Sequence, residues 1–480
     1  MKVENGKLKE YLYKFKSKRV AVIGAGISNT PLIGLLLEAG IDTTVRDKRG
    51  REELGAAAGD FEKQGAKLRL GDGYLSYLTE DVIFRTPGLM PSNPELQKAV
   101  ANGAVLTSEM EVFLEICPCL TIGVTGSDGK TTTTTIIGEL LKNGGKTVHV
   151  GGNIGTPLLN EVDNISPDDI AVIELSSFQL ITMTRSPDIA VVTNLSPNHL
   201  DIHTDMDEYI TAKENIFRYQ SVQNRVVINY DNEIARGFAA TVTAGEVLFF
   251  SRMETVKNGV FQHDGTIYEC LGDKKSEIMQ VDEIFLPGVH NIENYLAAFA
   301  AVMGMVDFNV LRETAKSFRG VEHRIEFVRE HNGVKYYNDS IASSPSRAIA
   351  GIRALSGAGK NENTGQKKII LIAGGKDKGI PFDEFGAETA ARVKELVLTG
   401  AAAPLIKTAV ENTKGFNEAG SFGGSQIHHT PGFKDAVLMA SKLAGEGDIV
   451  LLSPACTSFD MFKNFEERGN VFKDIVNGLV

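Results

Sequence analysis

The stretch Gly123-Val-Thr-Gly-Ser-Asp-Gly-Lys-Thr-Thr132 decides how this chain is read. An apolar run from Leu120 to Val124 leads into it, and a helix-forming segment follows from Thr132 to Leu141. A glycine-rich turn between strand and helix leaves backbone N–H groups and a helix N-terminus facing any phosphate that enters. In that setting Lys130 can reach the outer phosphates and the Thr131 hydroxyl can ligate Mg²⁺. The strict spacing asks for glycine at 124, where this chain has Val; Gly123 stands one place early. Gly126, Ser127, Asp128, Gly129, Lys130, Thr131 and Thr132 are therefore expected to hold the phosphates of ATP or a close relative.

On either side of this loop, strand-like apolar runs alternate with helical patterns, which predicts α/β domains with mainly parallel sheets. A chain of 480 residues is too long for one core, so three domains are expected. Residues 1–115 begin with Arg19-Val-Ala-Val-Ile-Gly-Ala-Gly26, a Rossmann-like opening. Residues 116–317 hold the phosphate loop and the runs Asp169–Leu175, Ile189–Asn194 and Arg225–Asn229. Residues 318–480 hold Val334–Asp339, Lys368–Gly375 and Asp448–Ser453, a second Rossmann-like domain. Gly/Asn-rich 357–366 reads as a mobile loop inside the third domain.

Composition narrows the class. Hydrophobic content of 42% and charged content of 23% are those of a soluble globular protein. No window reaches the length of a membrane span, and Met1–Arg19 is charged and lacks the apolar segment expected of a signal peptide. Net charge of −11 without a Lys/Arg cluster argues against nucleic-acid binding, so an anionic substrate must be held by local donors and metal ions. Cys117, Cys119, Cys270 and Cys456 make no disulfide framework, and the Cys117-Pro-Cys119 pair lacks the second pair that zinc requires. Reduced cysteines and a cytoplasmic location are expected.

Several strand ends carry polar residues. The Gly24-Ala-Gly26 turn has Asn29 where a third glycine would complete the dinucleotide fingerprint, and Asp47 falls where a ribose-binding acid would sit. Glu174 ends an apolar run beside the phosphate loop, a common position for a Mg²⁺ ligand. His199, Asp201 and His203 follow another run and read either as metal ligands or as polar loop residues. Lys213 reads on pattern as an exposed helix lysine. Glu322-His-Arg324, Asn338-Asp-Ser340, Lys376-Asp-Lys378 and Ser453–Ser458 lie at element boundaries, where two polar strand ends suggest a small anionic pocket.

Taken in order, these segments resemble the Mur ligase family of bacterial peptidoglycan synthesis, and within it the D-glutamate-adding branch. The motifs are residues 123–132, Gly-Gly-Asn-Ile-Gly (151–155), Glu-Leu-Ser-Ser-Phe-Gln-Leu (174–180) and His-Leu-Asp (199–201). They continue with Ala-Lys-Glu-Asn-Ile (212–216), residues 286–294, His-Arg (323–324), Asn-Asp-Ser (338–340) and residues 453–469. The resemblance implies an enzyme joining UDP-N-acetylmuramoyl-L-alanine to D-glutamate at the expense of ATP, through an acyl phosphate. It implies a first Mg²⁺ on Thr131 and Glu174, and a second on His199 and a carbamylated Lys213. It places Asn294, Arg324 and Asp339 at ATP, and Ile27, Ser28, Asp47, Arg49, Gly88 and Asn153 near the UDP-sugar. Ser343, Lys378, Ser458 and Phe465 fall at D-glutamate, and Lys130, Glu174, His199 and Lys213 form the catalytic group. A monomer without nucleic-acid or membrane partners is expected.

Two positions depart from the family pattern: Ile341 where lysine is frequent, and Asn198 where an acid often precedes the histidine. Other readings are a ligase adding L-alanine, a diamino acid or a dipeptide, a folylpolyglutamate synthetase, a phosphate-loop switch, or a nicotinamide dehydrogenase. The diamino-acid reading lacks its Asp-Asn-Pro-Arg segment, and Asn29 counts against the dehydrogenase.

Overall fold

Short β-branched runs bounded by glycine turns build three separate sheets in the computed structural model, which describes residues 6–155, 157–197, 202–356, 367–413, 421–422 and 425–479. The first sheet contains β1 (Arg19–Ile23), β2 (Asp42–Asp47), β3 (Lys67–Leu70), β4 (Val82–Phe84) and β5 (Val105–Thr107), all parallel in the order β3-β2-β1-β4-β5. The chain order reverses between β1 and β4, which opens a crevice at their C-terminal ends.

The second sheet has nine strands: β6 (Leu120–Thr125), β7 (Val148–Gly152), β8 (Ile170–Glu174), β9 (Ile189–Val192), β10 (Arg225–Asn229), β11 (Glu246–Ser251), β12 (Asn258–His263), β13 (Thr266–Leu271) and β14 (Lys274–Gln280). Its order is β14-β13-β12-β11-β10-β9-β6-β8-β7, with β12 to β14 antiparallel. Asp264 and Gly265 both have positive φ, the backbone a tight Asp-Gly hairpin requires.

In the third sheet, β15 (Glu326–His331) and β16 (Val334–Asn338) pair antiparallel. They are followed by β17 (Ile369–Gly374), β18 (Val393–Thr399), β19 (Ser421–Phe422), β20 (Ser425–His429) and β21 (Ile449–Leu452). The order is β15-β16-β21-β17-β18-β20-β19, parallel from β16 to β20.

The first two sheets belong to one compact unit, residues up to 283 with 292–316, and the third to another, residues 284–291 with 317 onward. The first unit is continuous because one apolar core serves both sheets. Val20, Val22 and Val45 share it with Ala171, Ile173 and Val192, joined by Met110, Val112 and Phe113 of the helix Glu109–Ile116. The junction expected at 115 lies in that helix. Residues 357–366 lie outside the described ones. Among the described residues, no helix is long and apolar enough to cross a membrane.

Glu109 is buried in this core with a single backbone partner, Leu159 N–H at 3.3 Å from Oε1. Burial pushes its carboxyl up to about 7, against which the Leu159 hydrogen bond is the smaller effect. The folded state therefore holds a proton that the unfolded chain releases near pH 4.3, and stability falls as pH rises from there to about 7. Glu109→Gln removes this loss. Urea melts should show wild type and variant alike near pH 4.5, with the variant ahead by up to about 3 kcal/mol at pH 8, at about 1.4 kcal/mol per pH unit.

Candidate active site

The phosphate loop forms where β6 ends and the helix Lys130–Asn143 begins. Gly126 and Gly129 have φ of +151° and +78°, and a Cβ at either would strike Thr193 Oγ1 or Asn294 Oδ1. Neither position admits a side chain. The loop is pinned from the strand-end segment 193–196: Ser127 N–H donates to Asn194 O (2.8 Å), Asp128 N–H to Asn194 Oδ1 (2.9 Å), and Ser127 Oγ to Ser196 O (3.0 Å). Lys130 Nζ folds back onto Gly126 O (3.0 Å) and Ser127 O (2.9 Å). Thr132 is half-exposed in the first helical turn.

Glu174, at the end of β8, is buried and accepts from Thr131 Oγ1 (2.7 Å) and Asn153 Nδ2 (2.8 Å). Asn153, which the resemblance places near the UDP-sugar, thus stands directly at the Glu174 carboxylate. Asn294 is tied in from the helix Val289–Ala301 by Thr133 Oγ1, at 3.2 Å.

Lys213 corrects the pattern reading: it is buried, 1% exposed. Its helix, Met206–Arg218, turns Tyr209, Ala212, Lys213, Ile216 and Phe217 inward. That i, i+3, i+4, i+7, i+8 spacing was the signal that places a lysine on an apolar face. Lys213 Nζ donates to Gly126 O (2.9 Å) and Thr125 Oγ1 (3.2 Å) and lies 4.8 Å from the Tyr209 ring centre. Burial, and then the charge of Lys130, push its amine well below the ordinary lysine range.

His203 is also buried, bonded to Ser177 Oγ (2.9 Å) and Glu208 Oε2 (3.1 Å) and stacked on Phe178. Both ring nitrogens are occupied, so His203 positions the helix start here and is not a metal ligand. His199, Asn198 and Asp201 lie outside the described residues.

In the first sheet, Asp47, Arg49 and the Gly24–Gly26 turn meet at the crevice beside β1. Asp47 accepts from Ala25 N–H (2.8 Å), Arg49 N–H (2.9 Å) and the Arg49 guanidinium (2.7 and 3.0 Å). Burial alone would raise the Asp47 carboxyl, but these hydrogen bonds prevail and hold it below the usual range. Asn29 explains the broken fingerprint: its amide donates to Ile23 O (3.0 Å) and Gly24 O (3.1 Å), closing the turn where a glycine would only permit it. Ile27 and Gly88 are exposed and Ser28 half-exposed at this end of the sheet.

Sequence reasoning missed Arg85, which follows β4. It is 1% exposed, without a carboxylate in hydrogen-bond range. Its Nη1 donates to Pro87 O (3.1 Å) and Leu89 O (2.8 Å), and its Nη2 to Phe178 O (2.6 Å) and Thr182 Oγ1 (3.1 Å). One guanidinium thereby ties the turn carrying Gly88 to the segment after Glu174. An arginine directly after a fully buried three-residue strand was the available signal.

The second unit gathers the remaining candidates. His323 and Ile325 have φ of +62° and +45°, a strained turn around Arg324. Asp339 is buried, accepting from Ser453 Oγ (2.8 Å) and Ile325 N–H (3.3 Å); burial raises its carboxyl to about 7 despite these bonds and the Arg324 charge. Lys378 Nζ lies 3.4 Å from Ser343 Oγ, Ser458 is buried after β21, and Phe465 opens the helix Phe465–Asn477 edge-on to His323. Arg468 is the buried cation of this unit, donating to Ser340 Oγ (3.0 Å), Ser340 O (2.8 Å) and Cys456 O (3.2 Å).

Residues 124–302 match the Mur ligase middle domain, and residues 323–456 the Mur ligase glutamate ligase domain. A UDP-N-acetylmuramoylalanine–D-glutamate ligase of Acetivibrio thermocellus is 50% identical over 476 residues, covering 99% of both chains. The chain belongs to the Mur ligase family. The ligase is also 49% identical to a D-glutamate ligase of the same description from Ruminiclostridium cellulolyticum, over 99% of its own length and 100% of the relative's. Among solved structures, the UDP-N-acetylmuramate–alanine ligase of Thermotoga maritima shares its fold, with a TM-score of 0.55 at 17% identity over 96% of this chain and 99% of the other. As a Mur ligase it is an ATP-dependent amide ligase of cell-wall precursor synthesis.

Arg85→Gln strips bonds from five acceptors in a buried place, the carbonyls of Thr86, Pro87, Leu89 and Phe178 and the Thr182 hydroxyl. It should destabilise the first unit by about 2 kcal/mol or more. Exposed Arg69→Gln should leave the melting temperature unchanged; equal shifts in both variants would remove the special role of Arg85.

Proposed function

We propose that this ligase joins the carboxylate of UDP-N-acetylmuramoylalanine to the amine of D-glutamate, with ATP cleaved to ADP and phosphate. The observation that carries the reading is identity near one half, along essentially the whole chain, with ligases described by that reaction. In this assignment residues 1–115 take the UDP-sugar, 116–317 take ATP, and 318–480 take the amino acid.

A carboxylate is a poor electrophile, so the reaction must first make a better leaving group. The substrate carboxylate oxygen attacks the γ-phosphorus of ATP, ADP departs, and an acyl phosphate forms. The D-glutamate amine then attacks the acyl carbon, phosphate leaves, and the nitrogen loses its proton. Residues Gly126 to Thr132 offer main-chain donors to the phosphates, and Lys130 exchanges its two carbonyl partners for phosphate oxygens. Asn294, Arg324 and Asp339 complete the nucleotide's contacts.

Thr131 and Glu174 present hard oxygen atoms within 2.7 Å of each other beside the loop, a set that fits Mg²⁺. Such an ion would neutralise phosphate charge as it develops. Burial disfavours the charged form of Lys213, and the uncharged amine is the form that adds carbon dioxide; carbamylated Lys213 with His199 would supply oxygen and nitrogen donors for a second ion. Asp47, Arg49, Ile27, Ser28 and Gly88 receive the UDP portion, Asn153 orients Glu174, and Ser343, Lys378, Ser458 and Phe465 receive D-glutamate. The same reading makes the enzyme a cytoplasmic monomer without nucleic-acid or membrane partners.

Incubation with UDP-N-acetylmuramoylalanine, ATP and a panel of amino acids should yield one new amide by mass, that of D-glutamate, with ADP in equal amount. Product with L-alanine or a diamino acid would overturn the assignment. Lys378→Ala should raise the D-glutamate KM roughly 10- to 100-fold, the loss of one charge-assisted hydrogen bond, while the KM for ATP stays within about 2-fold. Removing dissolved carbon dioxide should lower kcat, and bicarbonate should restore it; indifference to both would exclude carbamylation of Lys213.

A further inference from the structure

The Cys117-Pro-Cys119 pair takes no part in the ligase site. It lies on the three residues that join the core helix Glu109–Ile116 to β6. The Cys117 N–H closes the helix on Phe113 O at 2.8 Å, and Cys119 leads into the strand. The two sulfurs are 3.5 Å apart, both as free thiols. A disulfide needs about 2.05 Å between sulfurs, so closure asks for an approach of about 1.5 Å.

The environments of the two thiols differ in a way that assigns them separate steps. Cys117 is half-buried, while Cys119 is buried at 7% exposed. Either thiol can donate in this contact, and each also has a carbonyl in reach, Cys119 O for Cys117 (4.0 Å) and Leu120 O for Cys119 (3.6 Å); their pairing holds the Cys117 thiol below its ordinary range and raises Cys119. The other two cysteines, Cys270 and Cys456, are buried, and each lies in a different part of the sequence.

We propose that residues 117–119 form a reversible thiol–disulfide site, in which Cys117 attacks a low-molecular-weight disulfide and Cys119 resolves the product. The Cys117 thiolate attacks one sulfur of RSSR, forming Cys117–S–SR and releasing RS⁻, which takes a proton from water. Cys119 then loses its proton and attacks the Cys117 sulfur, the second RS⁻ leaves, and that proton makes RSH. Two protein thiols are oxidised and one RSSR is reduced to two RSH. Ring closure spans the entry to β6, the strand that ends at the phosphate loop.

The test uses the full chain and oxidised glutathione at neutral pH, read by intact mass and peptide mapping. Wild type should lose two hydrogens, release two glutathione thiols per chain, and show the disulfide within the peptide carrying 117–119, reversed by dithiothreitol. Cys119→Ser should stop with one glutathione on Cys117, and Cys117→Ser should leave Cys119 free. A mixed disulfide that persists on wild type, or free thiols at both positions after the exposure, overturns the proposal. So does Cys119 reacting in Cys117→Ser as fast as Cys117 does in wild type. Melting curves of both serine variants, expected to match wild type, separate misfolding from lost chemistry.

Discussion

Two lysine amines converge on one carbonyl oxygen, that of Gly126: Lys130 at 3.0 Å and Lys213 at 2.9 Å. Burial and then the Lys130 charge disfavour a proton on Lys213, and Glu174 and Asp128 offset this only in part. The loop thus gathers main-chain donors and two lysine amines around a glycine of positive φ, with hydroxyl and carboxylate oxygens at its edge. Phosphate is the ligand that such a set of donors suits. A Cβ at 126 would displace Thr193 and with it the strand-end segment that holds the loop, so loop shape and charge placement depend on the same residue.

The other two sheets follow the same rule by different means. Each places its polar residues at the C-terminal ends of parallel strands, where chain order reverses or strands leave a gap. Each also buries one arginine without a carboxylate in hydrogen-bond range, Arg85 in the first unit and Arg468 in the second, bonded mainly to main-chain carbonyls. Burial lowers both guanidinium groups only to about 10, so they remain charged at neutral pH. A planar fork with five donors can hold several turns in fixed relation, which a lysine cannot do. These arginines set the spacing of the segments to which the substrates are assigned.

The shared core of the first two sheets gives the Cys117–Cys119 segment its setting. Met110, Val112 and Phe113 anchor the preceding helix in the core that both sheets share, and the two thiols that follow lie 3.5 Å apart. A pair that composition alone dismisses as a zinc site becomes a candidate for exchange chemistry through this placement.

The sequence by itself determined the phosphate loop, the succession of strands and helices, and the placement of Glu174 and Asp47 at strand ends. These are local properties: glycine spacing, apolar runs and the residue that follows each run. The likeness to Mur ligases named most of the remaining site residues, while periodicity misread Lys213 until its helix was seen to turn inward. Tertiary structure alone decided that Asn29 closes a turn by donating to two carbonyls, that Arg85 binds one sheet to the segment beside another, and that His203 has no free nitrogen. Each of those depends on partners from 5 to 97 positions away in the chain. Hydrogen bonds of that reach, and the burial that makes them matter, exist only once the sheets have packed.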